Sequence, residues 1–180
     1  MKRAHKPARA DNHAIEIRRA RPRDAADLIP LIRAYYRFDG IRFRAGPISH
    51  ALARMLKDRR LGFAWIFRDG TRPVGYVLLS FNFDLEFGGF EGLVTDLFVK
   101  PEYRGRGVGE RALAIVDEYC RSVGIATVEL QVVEDNREAQ AFYRKIGFKN
   151  LKRIVMARAV KARTRAVRPR RQTVKGSRGQ

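Results

Sequence analysis

One junction limits what this chain can fold into more than any other feature. Residues 93–99 (Leu93, Val94, Leu97, Phe98 and Val99 around a lone Asp96) form the most hydrophobic strand candidate of the sequence. After Lys100-Pro101-Glu102-Tyr103 the chain enters Arg104-Gly105-Arg106-Gly107-Val108-Gly109 and runs straight on into a helical pattern. Over residues 108–123, Val108, Ala112, Ile115, Val116, Tyr119 and Val123 fall along one face, and Gly124 stands where a helix cap belongs. A strand that passes within a few residues into an amphipathic helix needs a sheet with a helix laid on it.

The rest of the sequence supplies the other elements. Residues 15–20 alternate apolar and charged side chains, as a half-buried strand does. Pro22 and Asp24 open a helix that carries Ala26, Ile29, Ile32 and Tyr36 at helical spacing, with Pro30 expected to kink or split it. Residues 41–47 read as a loop and 48–59 as a second helix. Residues 63–67 and 74–80 (the latter reaching towards Phe83) are strand-like, and Asp69-Gly70 between them is a hairpin signal. Further strands are expected at 127–133 and 151–157, around a helix over 137–145 that Gly147 ends. The order predicts an α/β (α+β) fold with a mixed central sheet and helical cover.

A chain of 180 residues that is 45% hydrophobic suits one compact domain rather than a disordered polymer. Its formal net charge is +19, and the ends carry much of it. Residues 159–180 hold eight Lys/Arg and no acid, and residues 1–14 hold four against Asp11. The sequence thus divides into a basic arm (1–14), a folded domain (15–158) and a basic tail (159–180). Such a tail attracts polyanions, nucleic acid included, or is simply solvated. Cys120 sits within a helical pattern and reads as a buried thiol. With three histidines and no Cys/His cluster, no metal is expected. Met1-Lys2-Arg3 is not followed by an apolar run, and no stretch approaches the ~20 apolar residues of a membrane span. A cytoplasmic protein is expected.

Glycines at a strand–helix junction let backbone N–H groups converge on an anion at the positive end of the helix, and Arg104 and Arg106 add charge. That is the physics of a pyrophosphate cradle. No Lys-Ser/Thr follows for a P-loop, and the spacing differs from the dinucleotide fingerprint. A plain Gly/Arg-rich loop remains the alternative.

Arg104-x-x-Gly107-x-Gly109 between strand and helix resembles motif A of the GNAT N-acetyltransferase superfamily. Asn136-Arg137-Glu138-Ala139-Gln140-Ala141-Phe142-Tyr143-Arg144-Lys145-Ile146-Gly147-Phe148 resembles motif B, about one strand further on. The resemblance covers residues 15–158 and implies a mixed sheet of six to seven strands with about four helices. It implies acetyl-CoA as co-substrate and direct acetyl transfer to a primary amine, without Cys120 as carrier. Amides of Arg104, Gly105, Arg106, Gly107, Val108 and Gly109 would hold the pyrophosphate. Backbone groups of Leu97, Phe98 and Val99 would pair with the pantetheine arm, and the amide of Phe98 or Val99 would polarise the thioester carbonyl.

Asn136 would contact the coenzyme, or else cap its helix. Tyr143 matches the residue that protonates the departing thiolate; the rival reading is a core aromatic. Asp96 is the first candidate base and Glu91 the second. Structural pairing with an arginine is the rival for Asp96. Tyr35, Tyr36, Phe38 and Asp39, with residues 81–91, are expected to build the acceptor site. The stretch Asp-Leu-Phe-Val-x-Pro-Glu-Tyr-Arg-Gly-Arg-Gly is similar to diamine and polyamine acetyltransferases, and many bacterial members share it. A small-molecule amine (polyamine, aminoglycoside or amino-acid-like) is therefore the first expectation. Protein N-termini or lysines come second, and a non-catalytic acyl-CoA-binding module with a nucleic-acid-binding tail third. A homodimer is common in the family.

Overall fold

The computed structural model describes residues 14–160. The basic arms expected at 1–14 and 159–180 lie almost wholly outside the described residues. Within them the order is β1 (Glu16–Arg19), α1 (Ala25–Phe38), α2 (Ala45–Met55), β2 (Phe63–Asp69), β3 (Arg72–Asp84), β4 (Gly89–Val99), α3 (Val108–Ser122), β5 (Val128–Leu130) and α4 (Arg137–Lys145). Short 3-10 turns at Pro22–Asp24 and Pro101–Tyr103 lead into the helical segments.

The five strands form one sheet in the order β1-β2-β3-β4-β5. The first three pairings are antiparallel and β4–β5 is parallel, so the sheet is mixed. Alternation along the strands divides the core between the two faces. One face carries Phe63, Trp65, Phe67, Val77, Leu79 and Val94 against Val108, Ala112, Val116 and Cys120 of α3. The other packs Ala64, Ile66, Tyr76 and Phe98 against Leu28, Leu31 and Ile32 of α1 and Leu52 of α2. Burial holds the Cys120 thiol at about pKa 11, so it is an inert core group.

Asp24 fixes the entry to α1. Arg18 forks onto both its oxygens at 2.9 and 2.7 Å, the Arg21 amide donates to it at 2.7 Å, and Arg68 adds a second cation. The Arg18 bond, foremost, holds this carboxyl well below the ordinary range.

Four expectations need correction. Pro30 lies inside α1 without splitting it. The carbonyl it leaves without an amide belongs to Ala26, and both residues face solvent, so water takes the bond. α2 begins at Ala45 rather than 48, because Gly46 and Pro47 occupy its first turn, where an amide has no helical partner. The strand expected at 127–133 is only Val128–Leu130. That expected at 151–157 is absent among the described residues: the segment lacks regular structure, and Ile154 and Met156 stand open to solvent. Three residues of β5 offer too short an edge to template another strand. Among the described residues the sheet therefore has five strands rather than six to seven.

Candidate active site

A defect in the sheet creates the site. On β4, Asp96 pairs with Leu78 but Val94 pairs with Leu79, so Thr95 is the extra residue of a β-bulge. The bulge reverses the alternation. Val94, Leu97 and Val99 face α3, while Asp96 and Phe98 face α1. β5 accompanies β4 only at residues 92–94. Past the bulge the two part, and both Leu97, Phe98, Val99 and Gln131, Val132, Val133 line a cleft of about 350 Å³. The Lys100 amide donates to Val74 of β3 at 2.9 Å. Strand alternation then turns the Phe98 N–H towards β3 and those of Leu97 and Val99 towards the cleft.

The head of α3 closes one end. Gly105 and Gly107 take φ of 70° and 72°, a left-handed conformation that other residues resist. A side chain there would meet no atom within 4 Å; the constraint is conformational, and the backbone stays open to the cleft. The first amides of a 15-residue helix point the same way. Gly109 has a different reason: a Cβ would lie 3.2 Å from Cζ of Phe142, so its bareness lets α4 close onto α3. Arg104 donates through Nε to the Val99 carbonyl at 3.0 Å, and its guanidinium sits 4.8 Å from the Phe38 ring. Arg106 is turned aside, bonded to the Glu102 carbonyl at 2.9 Å and lying 5.2 Å from the Tyr103 ring.

α1 and α4 form the facing walls. Tyr35, Phe38 and Asp39 line the cleft from the end of α1, and Asn136, Ala139, Phe142, Tyr143 and Lys145 line it from α4. Tyr35 donates to Asp39 at 3.3 Å. Burial, assisted by the negative charge of Asp39, raises the Tyr143 phenol to about 12, so it stays protonated. Its ring is 5.2 Å from Phe142 and 5.7 Å from Phe148, so the packing role is real as well. Asn136 caps α4 by accepting the Ala139 amide at 3.0 Å, and it also borders the cleft.

Asp96 is buried behind this wall rather than on it. The Tyr76 hydroxyl donates to it at 2.8 Å. Burial raises its carboxyl to about 6; the Tyr76 bond works against that shift and the charge of Asp39 adds to it. No arginine pairs with it among the described residues. Glu91, the second candidate base, lies five residues away towards the other end of β4, bonded to Asn82 at 3.1 Å. Tyr36 packs against Phe43 and stays off the cleft.

Thirteen of the residues singled out from the sequence thus meet at one cleft; Arg106, Tyr36, Asp96 and Glu91 do not line it. Tyr76 was missed, although a tyrosine inside the apolar run 74–79 is a polar group that needs a partner. So were Gln131, Val132 and Val133, which read as plain strand. No cluster of three or more His, Cys, Asp or Glu fit to hold a metal occurs among the described residues, nor any helix long and apolar enough to cross a membrane.

Comparison with known proteins agrees with this architecture. Residues 27–148 match the model of the acetyltransferase (GNAT) family. An uncharacterized N-acetyltransferase of Methanocaldococcus jannaschii is 28% identical over 73% of this chain and 59% of its own length, so the chain spans under two thirds of that relative. The aminoalkylphosphonate N-acetyltransferase of Salmonella typhimurium is 29% identical over 74% of this chain and 84% of its own. Among solved structures, an integron cassette protein from the mobile metagenome of Cole Harbour Salt Marsh superposes with a TM-score of 0.71, at 29% identity over 81% of this chain and 91% of that one. With two thirds of its length matched to the family model, the chain belongs to the GNAT acetyltransferase family.

Proposed function

We propose that this protein is an acetyl-CoA-dependent N-acetyltransferase that acetylates a primary amine of a small molecule. One observation carries the reading: the notch where β4 leaves β5 opens onto the left-handed glycines at the head of α3, with Tyr143 on the facing wall. An extended arm fits the notch as an added strand on the free Leu97 and Val99 amides, and a pyrophosphate fits the amides of residues 104–109. Arg104, tied to the Val99 carbonyl, holds the two halves of that cradle together.

Bound acetyl-CoA supplies a thioester, whose C–S bond breaks as the acceptor nitrogen bonds the acetyl carbon. The chain's own groups manage charge and protons. The Val99 amide faces the cleft and suits the carbonyl oxygen that gains charge; the Phe98 amide, engaged towards β3, does not. Tyr143, neutral at pH 7, gives its proton to the departing sulfur and recovers one from the second proton that the acylated nitrogen sheds. Asp39 meets the cationic acceptor on the cleft wall. Asp96, with a carboxyl near 6, takes the ammonium proton through an intervening water. Glu91 lies too far along the strand for this role. Both substrates must be bound together, so initial-rate plots against the two concentrations should intersect. Parallel lines, the sign of an acetylated enzyme, would overturn direct transfer.

A further inference from the structure

We propose that the acceptor is a linear polyamine, whose distal ammonium is held by Glu91 and Glu129 at the far end of the strip of sheet face that leads away from Asp96. The proposal rests on the acyl-transfer reading above and adds a second subsite to it. Register pairs put Leu78 opposite Asp96, Ser80 opposite Leu93 and Asn82 opposite Glu91, all directed to the α1 face of the sheet. α1 and α2 cover that face only as far as Leu78. Beyond it Ser80 and Leu93 are partly open and make a floor between two carboxylates. On β5, Glu129 pairs with Leu93, which makes it the diagonal neighbour of Glu91 on the same face.

The far end is built around an unmet charge. Glu91 is 2% exposed; Asn82 satisfies Oε1, while Oε2 is buried without a partner. Oε1 of Glu129 is likewise buried and unpartnered. Taking a carboxylate from water with half its bonds unmade costs stability unless something supplies them. Asp84 and Glu86 add negative charge around Glu129, and among the described residues Arg153, which is paired to Glu86, is the cation that acts against it. In a chain of net charge +19 this is an acidic island. An ammonium, with three donors and one positive charge, matches two neighbouring carboxylates that each keep an unpartnered oxygen. Glu129 is only partly buried and leaves the approach open. Four residues of β4, one of them the bulge, separate Glu91 from Asp96, roughly 13–16 Å of strand. A four-carbon diamine cannot bridge that length; a linear tetraamine can.

The test compares spermine, 1,4-diaminobutane and butylamine as acceptors for the full chain at saturating acetyl-CoA. Spermine should exceed butylamine in kcat/KM by about 10- to 100-fold, the value of a charge-assisted contact, with 1,4-diaminobutane near butylamine. Glu129→Gln and Glu91→Gln should each remove most of that preference through KM for spermine rather than kcat. Ser80→Lys, whose ammonium reaches the same carboxylates, should do so without deleting either acid. Thermal melting checks each variant's fold. Equal kcat/KM for all three amines, or a spermine preference that survives all three substitutions, overturns the subsite while leaving the enzyme reading intact. Absence of turnover with any amine would instead sink the acyl-transfer reading and the subsite with it.

Discussion

Replacing Tyr76 by Phe should move the pH profile of the reaction without touching the cleft. The Tyr76 hydroxyl donates to Asp96 at 2.8 Å in a buried setting and opposes the upward pull of burial on that carboxyl, which stands at about 6. A hydrogen bond to a charged group contributes about 1.5–3 kcal/mol, and about 1.4 kcal/mol corresponds to one pKa unit. Losing it should lift the acid limb of kcat/KM from near pH 6 to roughly pH 7–8. Asp96→Asn should abolish the limb and lower turnover by about 10²–10⁴-fold. Stability provides a second reading of the same group. Its folded pKa lies above the ordinary value of 3.8, so between about pH 4 and 6 the native state binds more protons than the unfolded one. Stability should fall as pH rises through that window, by up to about 3 kcal/mol, and Asp96→Asn should lack the fall. The assay is thiol release from acetyl-CoA at fixed amine between pH 5 and 9, with melting curves over pH 4–8. An acid limb that stays put in Tyr76→Phe, together with near wild-type turnover of Asp96→Asn, would refute Asp96 as the base.

Tyr143→Phe should cut kcat about 10²–10⁴-fold with little change in KM for acetyl-CoA, since it keeps the packed ring and removes the proton; unchanged kcat would make Tyr143 a packing residue only. Gly107→Glu should abolish acetyl-CoA binding by calorimetry, because φ of 72° strains any side chain and the added carboxylate repels phosphate; retained affinity would misplace the cradle. Gly75→Ala should lower stability by roughly 3 kcal/mol or more, seen as a large drop in Tm, because its Cβ would lie 2.4 Å from the Phe98 carbonyl oxygen and 2.6 Å from the Phe67 ring. A normal Tm would show that β3 and β4 can part there. Removing residues 159–180 should weaken retention on heparin and flatten its salt dependence, since eight cations leave; kcat should persist, because the cleft is lined from residues 35–145.

The strand–glycine–helix junction and the α4 motif were legible because their chemistry is local: left-handed glycines, a helix head and an Asn cap follow from adjacent residues. The hairpin at Asp69-Gly70 was legible for the same reason, with Gly70 at φ of 56°. What the sequence hid depends on register. The Thr95 bulge, which sends Val94 and Asp96 to opposite faces, leaves no mark in an apolar run. It separates Asp96 from the cleft wall, frees the Val99 rather than the Phe98 amide, and takes the partner strand from Gln131, Val132 and Val133. The pairing of Tyr76 with Asp96 and of Glu91 with Asn82 also crosses strands and cannot be counted along the chain. Pro30 misled because the cost of a helical proline depends on whether the carbonyl it frees is wet.

The most direct measurement of the central claim is amine-dependent release of free thiol from acetyl-CoA by the purified full chain, with the amine product identified by mass. The expected result is thiol release that requires the amine, matched one for one by a monoacetylated amine, and suppressed by Tyr143→Phe. Tight binding of acetyl-CoA with no thiol release across linear polyamines, monoamines, amino acids and aminoglycosides would contradict it, and would make the cleft a binding site rather than a catalytic one.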